Sequence, residues 1–174
     1  MKFIIQSFPR SGANFLANNL RQSCDKYVGI SYHAINLNPN KTIIHLIRNP
    51  IDSISSIIWV NEKINDVIDL GIPSQVHLYN KMYEFILSKN DYIMCFDKLI
   101  SDPDGEIAKL LQFRNLPVIS HSMDLAESKP DIGFYASSQN NSRYQEIYDA
   151  VSKYESDEMT YAYELYTKAL ALCA

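Results

Sequence analysis

Two short segments of the sequence each combine an arginine with small and hydroxyl-bearing residues, a combination suited to binding an anion. The first, SFPRSG (residues 7–12), directly follows the apolar run KFII. A strand that turns tightly into a helix presents unpaired backbone N–H groups to a phosphate, and the helix dipole adds roughly 0.3–1 kcal/mol per charge. We therefore predict a phosphate-binding loop over residues 10–14, with the charge of Arg10 inside it.

This loop differs from the nucleotide P-loop, G-x-x-x-x-G-K-[ST], at the positions that act on ATP. When the two are aligned on Gly12, Ser7 stands at the first glycine. Ala13 then stands at the lysine and Asn14 at the magnesium-binding hydroxyl. A P-loop kinase-like phosphotransferase is therefore the weaker alternative. Taken alone, PRSG also fits a plain turn whose serine caps the following helix and whose arginine lies in solvent.

The second segment, IIHLIRNPIDSISS, ends an apolar run on Arg48 and starts a helix at once. Asn49 suits the N-cap, Pro50 the first helical position and Asp52 the first turn, so these residues have structural explanations. Arg48 and Ser56 do not. Because an arginine and a nearby hydroxyl make a good phosphate clamp, we predict that these two residues bind a phosphate group.

Short apolar runs alternate with helix-like segments along the chain. The predicted strands are 2–7, 26–31, 42–48 and 92–96, and the predicted helices are about 12–22, 50–60, 74–88, 103–113, 140–153 and 157–172. This alternation indicates an α/β fold: a P-loop-type parallel sheet of about four to five strands, covered by helices on both faces. We expect a single domain over residues 1–174, with its ligand at the carboxyl ends of the strands.

Three segments, in the same order as in the family, resemble the sulfotransferase superfamily. Members carry a loop P-[KR]-S-G-[ST]-[TN]-[WF] after the first strand, and PRSGANF (9–15) is similar to it. They also carry R-[ND]-P-x-D with a serine eight residues after the arginine, as at Arg48 and Ser56. A third segment, CFDKLISDPDGEIAKLLQF, looks like the family's later strand, E-D-L, D-P and helix. The resemblance covers about residues 3–113.

The resemblance implies transfer of a sulfuryl group from 3′-phosphoadenosine-5′-phosphosulfate (PAPS) to a hydroxyl, with PAP as the product. It implies that the loop holds the 5′-phosphosulfate, that Arg10 stabilises charge on the leaving phosphate, and that Arg48 with Ser56 grips the 3′-phosphate. Phe15 stands where members have an aromatic near the adenine, although a helix residue facing the core fits equally well. The implied nucleotide-binding set is Arg10, Ser11, Gly12, Ala13, Asn14, Phe15, Arg48 and Ser56.

His33 is the histidine that the resemblance offers as catalytic base, alongside Arg10, because members carry one between the loop and the arginine segment. It follows the second strand-like run, and an imidazole with a pKa near ~6.5 can accept a proton at neutral pH. A surface-loop histidine is the alternative. His45 lies inside the apolar run IIHLI, so we predict a core histidine that is satisfied by a neighbour.

Departures from the family pattern keep a second alternative open, a non-catalytic nucleotide-binding module. Ala13 lacks the hydroxyl that usually touches the phosphate, although its N–H remains. The family's late loop, R-K-G-x-x-G-x-W, is reduced to SKPDIGFY (128–135), and the chain is shorter than most members. The acceptor is unspecified: sugars, small alcohols, phenols and peptide tyrosines all fit.

Composition excludes several classes of partner and site. The formal net charge of −4 argues against nucleic acid as a partner, and no apolar stretch reaches the length of a membrane span. The cysteines Cys24, Cys95 and Cys173 form no CxxC motif, so they predict neither a zinc site nor a disulfide framework. We expect a cytoplasmic protein without a required metal, acting on a small-molecule or carbohydrate acceptor, with homo-oligomerisation left open.

Overall fold

The structure is a computed structural model that describes residues 2–24, 27–32, 41–65, 71–117 and 141–173. Over these residues the chain alternates strands with helices. The strands are β1 (Lys2–Ser7), β2 (Tyr27–Ser31), β3 (Thr42–Ile47) and β4 (Tyr92–Cys95). The helices are α1 (Ala13–Ser23), α2 (Pro50–Asn65), α3 (Ile72–Leu87), α4 (Phe96–Ser101), α5 (Pro103–Phe113), α6 (Ser142–Ser152) and α7 (Asp157–Ala171).

The four strands form one parallel sheet in the order β2-β1-β3-β4. Ile5 pairs with Ile30 on one side and with Ile44 on the other, so β1 is a central strand. The chain leaves β1 and β3 at the same edge of the sheet, since parallel neighbours end together. This arrangement confirms the predicted α/β class and brings the two arginine segments side by side.

Helices cover both faces of the sheet, as the apolar strands predicted. On β3, Ile44 and Leu46 pack with α1 and α5. Ile47 points to the opposite face, where it packs with α2, α3, α6 and α7. The alternation follows from the period-two geometry of a strand, and it leaves both faces of the central strands in apolar cores.

The largest departure from the predicted elements lies after β4. We expected the strand to continue through Phe96, but it ends at Cys95 and the short helix α4 begins at once. Six residues are too few to show a helical period in the sequence. Asp102 then starts α5 by accepting a hydrogen bond from the Gly105 N–H at 3.0 Å. The turn between α4 and α5 is therefore fixed by an ordinary N-cap.

Helix α2 is longer than predicted, reaching Asn65. Its predicted start is confirmed, because the Asn49 side chain accepts a hydrogen bond from the Ile51 N–H at 2.9 Å. In the described part of the chain, no helix combines the length and apolar character that crossing a membrane requires.

Candidate anion-binding site

The loop after β1 turns sharply by means of two residues with positive φ. Arg10 has φ of 67° and Gly12 has φ of 86°. The turn closes where the Ser11 N–H donates to the Phe8 carbonyl at 3.3 Å. Gly12 is the N-cap of α1, so the alternative in which Ser11 caps this helix is wrong. With no side chain at the cap, the first N–H groups of α1 are left to face an anion.

Gly12 is required by space as well as by backbone conformation. A Cβ built on it would overlap the Phe96 ring, which lies directly against the loop. Any side chain with a Cβ also pays roughly 1–2 kcal/mol in the left-handed region. The first residue of α4 therefore forms a wall that only a glycine backbone can approach this closely.

Two serine hydroxyls at the loop are buried and have no partner in the described part of the chain. Ser7, the last residue of β1, and Ser11 both have fully buried side chains. Within the described residues, neither hydroxyl oxygen finds a hydrogen-bond partner. A buried hydroxyl left in this state costs about 1–3 kcal/mol, so both groups suit a ligand that supplies acceptors.

The backbone of Arg48, at the end of β3, is held by two tyrosines of α3. The Arg48 N–H donates to the Tyr83 hydroxyl at 2.8 Å. The Arg48 carbonyl accepts from Tyr83 at 2.8 Å and from Tyr79 at 2.7 Å. Both backbone polar groups of Arg48 are therefore satisfied by tyrosine hydroxyls.

The same two tyrosines connect Arg48 to the loop after β1. Their rings stack at 4.1 Å between centroids, and the Phe8 ring meets Tyr79 edge-on at 5.3 Å. Burial raises the pKa of both Tyr79 and Tyr83, so their hydroxyls stay protonated and continue to donate. The strand end and the loop are thus packed as one unit.

The side chains of Arg48, Arg10 and Ser56 converge at this edge. The Arg48 guanidinium is 4% exposed, donates to the Arg10 carbonyl at 2.9 Å and lies 4.7 Å over the Phe96 ring. The Ser56 hydroxyl lies 3.4 Å from the Arg10 Nε. The predicted clamp places Ser56 beside Arg48. In the structure the Ser56 hydroxyl contacts Arg10 instead, so the segment after β1 and the segment after β3 are joined directly.

Asp52 is the carboxyl group one helical turn after Arg48. Burial raises its pKa; the positive charge of Arg48 opposes this rise and Asp97 adds to it. The Asp52 carboxyl group therefore lies close enough to Arg48 for their charges to interact.

The remaining residues of the nucleotide set lie at the start of α1. Ala13 is buried and Asn14 is exposed. Phe15 is 4% exposed and packs in the core between α1 and the sheet, so packing explains its position and its adenine contact stays a prediction. The predicted base His33 and the late loop 128–135 lie outside the described residues.

His45 is a core histidine, as predicted. It is fully buried in β3, and its Nε2 lies 3.1 Å from an Asp91 carboxylate oxygen. Burial lowers its pKa despite the opposing effect of Asp91. The neutral ring serves the fold and does not reach the anion site.

Sequence reasoning missed three aromatic residues that position the arginines: Phe96, Tyr79 and Tyr83. Phe96 could have been found, because it directly follows a buried strand and ligands of parallel α/β sheets bind at the carboxyl ends of the strands. The tyrosines are four residues apart on α3, a spacing that indicates a buried face and nothing about their partner.

Comparison with known proteins agrees with this description. No protein-family model matches the sequence, and no curated protein matches it. Among solved structures, the crystal structure of mouse sulfotransferase SULT7A1 complexed with PAP is similar, with a TM-score of 0.56 at 14% identity. The match covers 97% of this chain and 83% of that chain. The chain thus has an α/β fold similar to that of a sulfotransferase.

Proposed function

We propose that this protein binds PAPS at the convergent arginines and transfers its sulfuryl group to an acceptor hydroxyl. The observation that carries the proposal is the meeting of Arg10, Arg48 and Ser56 at the carboxyl ends of β1 and β3. A buried guanidinium already placed beside a second arginine suits a ligand with two phosphate groups. The likeness to a PAP-bound sulfotransferase supports the same ligand.

The residues present fit such a nucleotide. The hydroxyls of Ser7 and Ser11 are buried and lack a partner among the described residues. The donors are backbone N–H groups, hydroxyls and guanidinium groups, all of which bind phosphate oxygens. The site thus offers positive charge and hydrogen-bond donors to an anion.

Each residue has a role in the proposed reaction, to which PAPS supplies the sulfuryl group. The N–H groups of residues 10–14 hold the 5′-phosphosulfate, and Arg10 stabilises negative charge on the leaving phosphate. Arg48 and Ser56 hold the 3′-phosphate and so distinguish PAPS from ATP. His33 accepts the proton of the acceptor hydroxyl.

The kinase alternative is disfavoured by Ala13 and Asn14, which supply neither a Walker lysine nor a magnesium-binding hydroxyl. The alternative of a non-catalytic nucleotide-binding module makes the same binding prediction as the enzyme. It differs in turnover alone, so binding and transfer must be measured separately.

Thermal unfolding with two nucleotides tests the binding half of the proposal. We expect PAP to raise the melting temperature at concentrations where ADP with magnesium does not, because ADP lacks the 3′-phosphate. At 100 times the dissociation constant, PAP adds about 2.7 kcal/mol to the free energy of unfolding. Equal shifts from both nucleotides would remove the basis for PAPS.

A screen of acceptor pools with isotopically labelled PAPS, followed by mass shift, tests transfer. With an acceptor identified, His33→Ala is expected to lower turnover by about 10²–10⁴ while PAP affinity changes by only a few-fold. His77→Ala, a change at an exposed histidine of α3, is the control and leaves both quantities unchanged. PAP binding without turnover of any acceptor establishes the binding module instead.

A further inference from the structure

A second chemically distinctive cluster lies beside the anion site, where β4 ends. Cys95 is the last residue of β4 and is 2% exposed. Cys173, which follows α7, packs against the same core as Cys95 and is partly exposed. The Tyr166 hydroxyl of α7 lies 4.0 Å from the Cys95 sulfur. Two cysteines from distant parts of the sequence therefore pack in one core.

The surroundings of Cys95 favour the thiolate. The Cys173 thiol is in hydrogen-bond contact with the Cys95 sulfur, and the backbone N–H groups of Asp97 and Lys98 also bond to it. The contact with Cys173, opposed by burial and aided by these N–H groups, lowers the pKa of Cys95 to about 6. The same contact raises the pKa of Cys173, so the proton of the pair stays on Cys173.

We propose that Cys95 and Cys173 are a redox pair that closes to an intramolecular disulfide when the protein meets a peroxide. Cys95 is the nucleophile and Cys173 the resolving thiol, because the two thiols interact within the same core and the partly exposed Cys173 gives a small oxidant access. The proposal concerns a modification site and does not depend on the nucleotide that the protein binds.

The reaction proceeds in two balanced steps. The Cys95 thiolate attacks one oxygen of hydrogen peroxide; the O–O bond breaks, a sulfenic acid forms, and the departing hydroxide takes a proton to become water. The Cys173 sulfur then attacks the Cys95 sulfur, the S–O bond breaks, and the thiol proton leaves with the hydroxyl as a second water. Two thiols are oxidised and one peroxide is reduced.

The position of the pair gives the disulfide a structural consequence. Cys95 directly precedes Phe96, whose ring contacts the Gly12 backbone and lies under the Arg48 guanidinium. A disulfide to Cys173 ties the end of α7 to the strand that places this ring. The third cysteine, Cys24, is 7% exposed, donates from its thiol to the Leu20 carbonyl at 3.0 Å and packs in the core on the opposite face of the sheet.

The test is peroxide treatment of the native protein, followed by alkylation, proteolysis and mass spectrometry. We expect a peptide pair joined through Cys95 and Cys173, two hydrogens lighter than the reduced form, while Cys24 is recovered as an alkylated thiol. Cys24 is a matched internal control because it is nearly as buried as Cys95. If burial alone determined the rate of oxidation, Cys24 and Cys95 would be oxidised at similar rates.

Two variants separate the roles of the pair. In Cys173→Ser, Cys95 is expected to accumulate as a sulfenic acid that dimedone traps, with no intramolecular disulfide. In Cys95→Ser, Cys173 is expected to stay reduced at the same dose of peroxide. The proposal is overturned if Cys24 oxidises as fast as Cys95, if the disulfides form between molecules, or if the native protein keeps all three thiols while the urea-unfolded chain loses them.

Discussion

The segment after β1 and the segment after β3 both carry an arginine to the same edge of the sheet, yet they are held in opposite ways. At the end of β3, the Arg48 backbone is bonded on both sides by tyrosine hydroxyls, and its guanidinium lies on Phe96. At the end of β1, the loop relies on two residues with positive φ. It also buries two hydroxyls that have no partner among the described residues.

This difference indicates that the two segments have different roles in ligand binding. The β3 end is pre-organised by the protein, so its geometry is present before a ligand arrives and little ordering is needed on binding. The β1 loop has positive φ at two residues, and its two buried serine hydroxyls, without a partner among the described residues, can donate to an anion. We therefore expect changes at the β3 end to alter stability and binding together, and changes inside the loop to separate the two.

Replacement of the loop glycine is expected to have the largest effect. Gly12→Ala places a side chain in the left-handed region, at roughly 1–2 kcal/mol, and drives its Cβ into the Phe96 ring. We expect urea denaturation to show a loss of at least about 2 kcal/mol and calorimetry to show no PAP binding.

Gly71→Ala is the matched control, because Gly71 is also an N-cap glycine with positive φ, 49°. It is expected to lose stability from backbone strain while keeping PAP affinity. The double variant Gly12→Ala/Phe96→Leu should recover part of the lost stability. Equal behaviour of the two glycine variants would mean that the Phe96 wall has no special importance.

Two tyrosine variants sharpen the description of the β3 end. Tyr83→Phe leaves the buried Arg48 N–H without its partner, and we expect a loss of about 1–3 kcal/mol in the free energy of unfolding. Tyr79→Phe removes one of two donors to the Arg48 carbonyl, so the loss is expected to be about 0.5–1.5 kcal/mol. Chemical denaturation measures both. A larger loss for Tyr79→Phe would contradict the assigned hydrogen bonds.

The smallest effect on stability is expected for a loop hydroxyl. Ser11→Ala removes a buried hydroxyl that has no partner within the described residues, so the ligand-free protein should be equally stable or slightly more stable. PAP affinity is expected to fall about tenfold, equivalent to 1.4 kcal/mol.

Ser53→Ala is the control for this variant. Ser53 lies on α2, is fully buried and likewise lacks a hydroxyl partner in the described part of the chain. Its loss should leave both stability and PAP affinity nearly unchanged. If Ser11→Ala destabilises the ligand-free protein by more than about 1 kcal/mol, the hydroxyl has a structural role and is not reserved for binding an anion.

These two segments also show how far the sequence alone reaches. The buried strands were predictable because they are near-continuous apolar runs, and the spacing of Arg48 and Ser56 pointed to a common site. Helix α4 was not predictable, since six residues hold too little of a helical period. The local pattern also could not show that Ser56 meets Arg10, because that contact depends on how α2 leaves the sheet.

The cysteines illustrate the same limit more strongly. Cys95 and Cys173 form no recognisable motif, and the sequence predicted neither a zinc site nor a disulfide framework. The pairing of β4 with the sheet and the packing of α7 bring them together. Long-range contacts of this kind come from the assembled core, so single-sequence patterns carry no signal for them.

The central claim, that Arg48 recognises a 3′-phosphate, is tested most directly by calorimetry of two nucleotides on three proteins. The nucleotides are PAP and AMP, which lacks the 3′-phosphate; the proteins are the wild type, Arg48→Ala and the control Arg143→Ala. Arg143 is an exposed arginine of α6 that pairs with Glu62, so its loss removes the same charge elsewhere. Melting temperatures confirm that each variant is folded.

We predict that Arg48→Ala loses about 2–5 kcal/mol of PAP binding free energy, roughly 30-fold or more in affinity. AMP affinity should change by only a few-fold, and Arg143→Ala should bind both nucleotides as the wild type does. Equal losses for PAP and AMP in folded Arg48→Ala, or no loss of PAP affinity, would contradict the assignment of Arg48 to the 3′-phosphate.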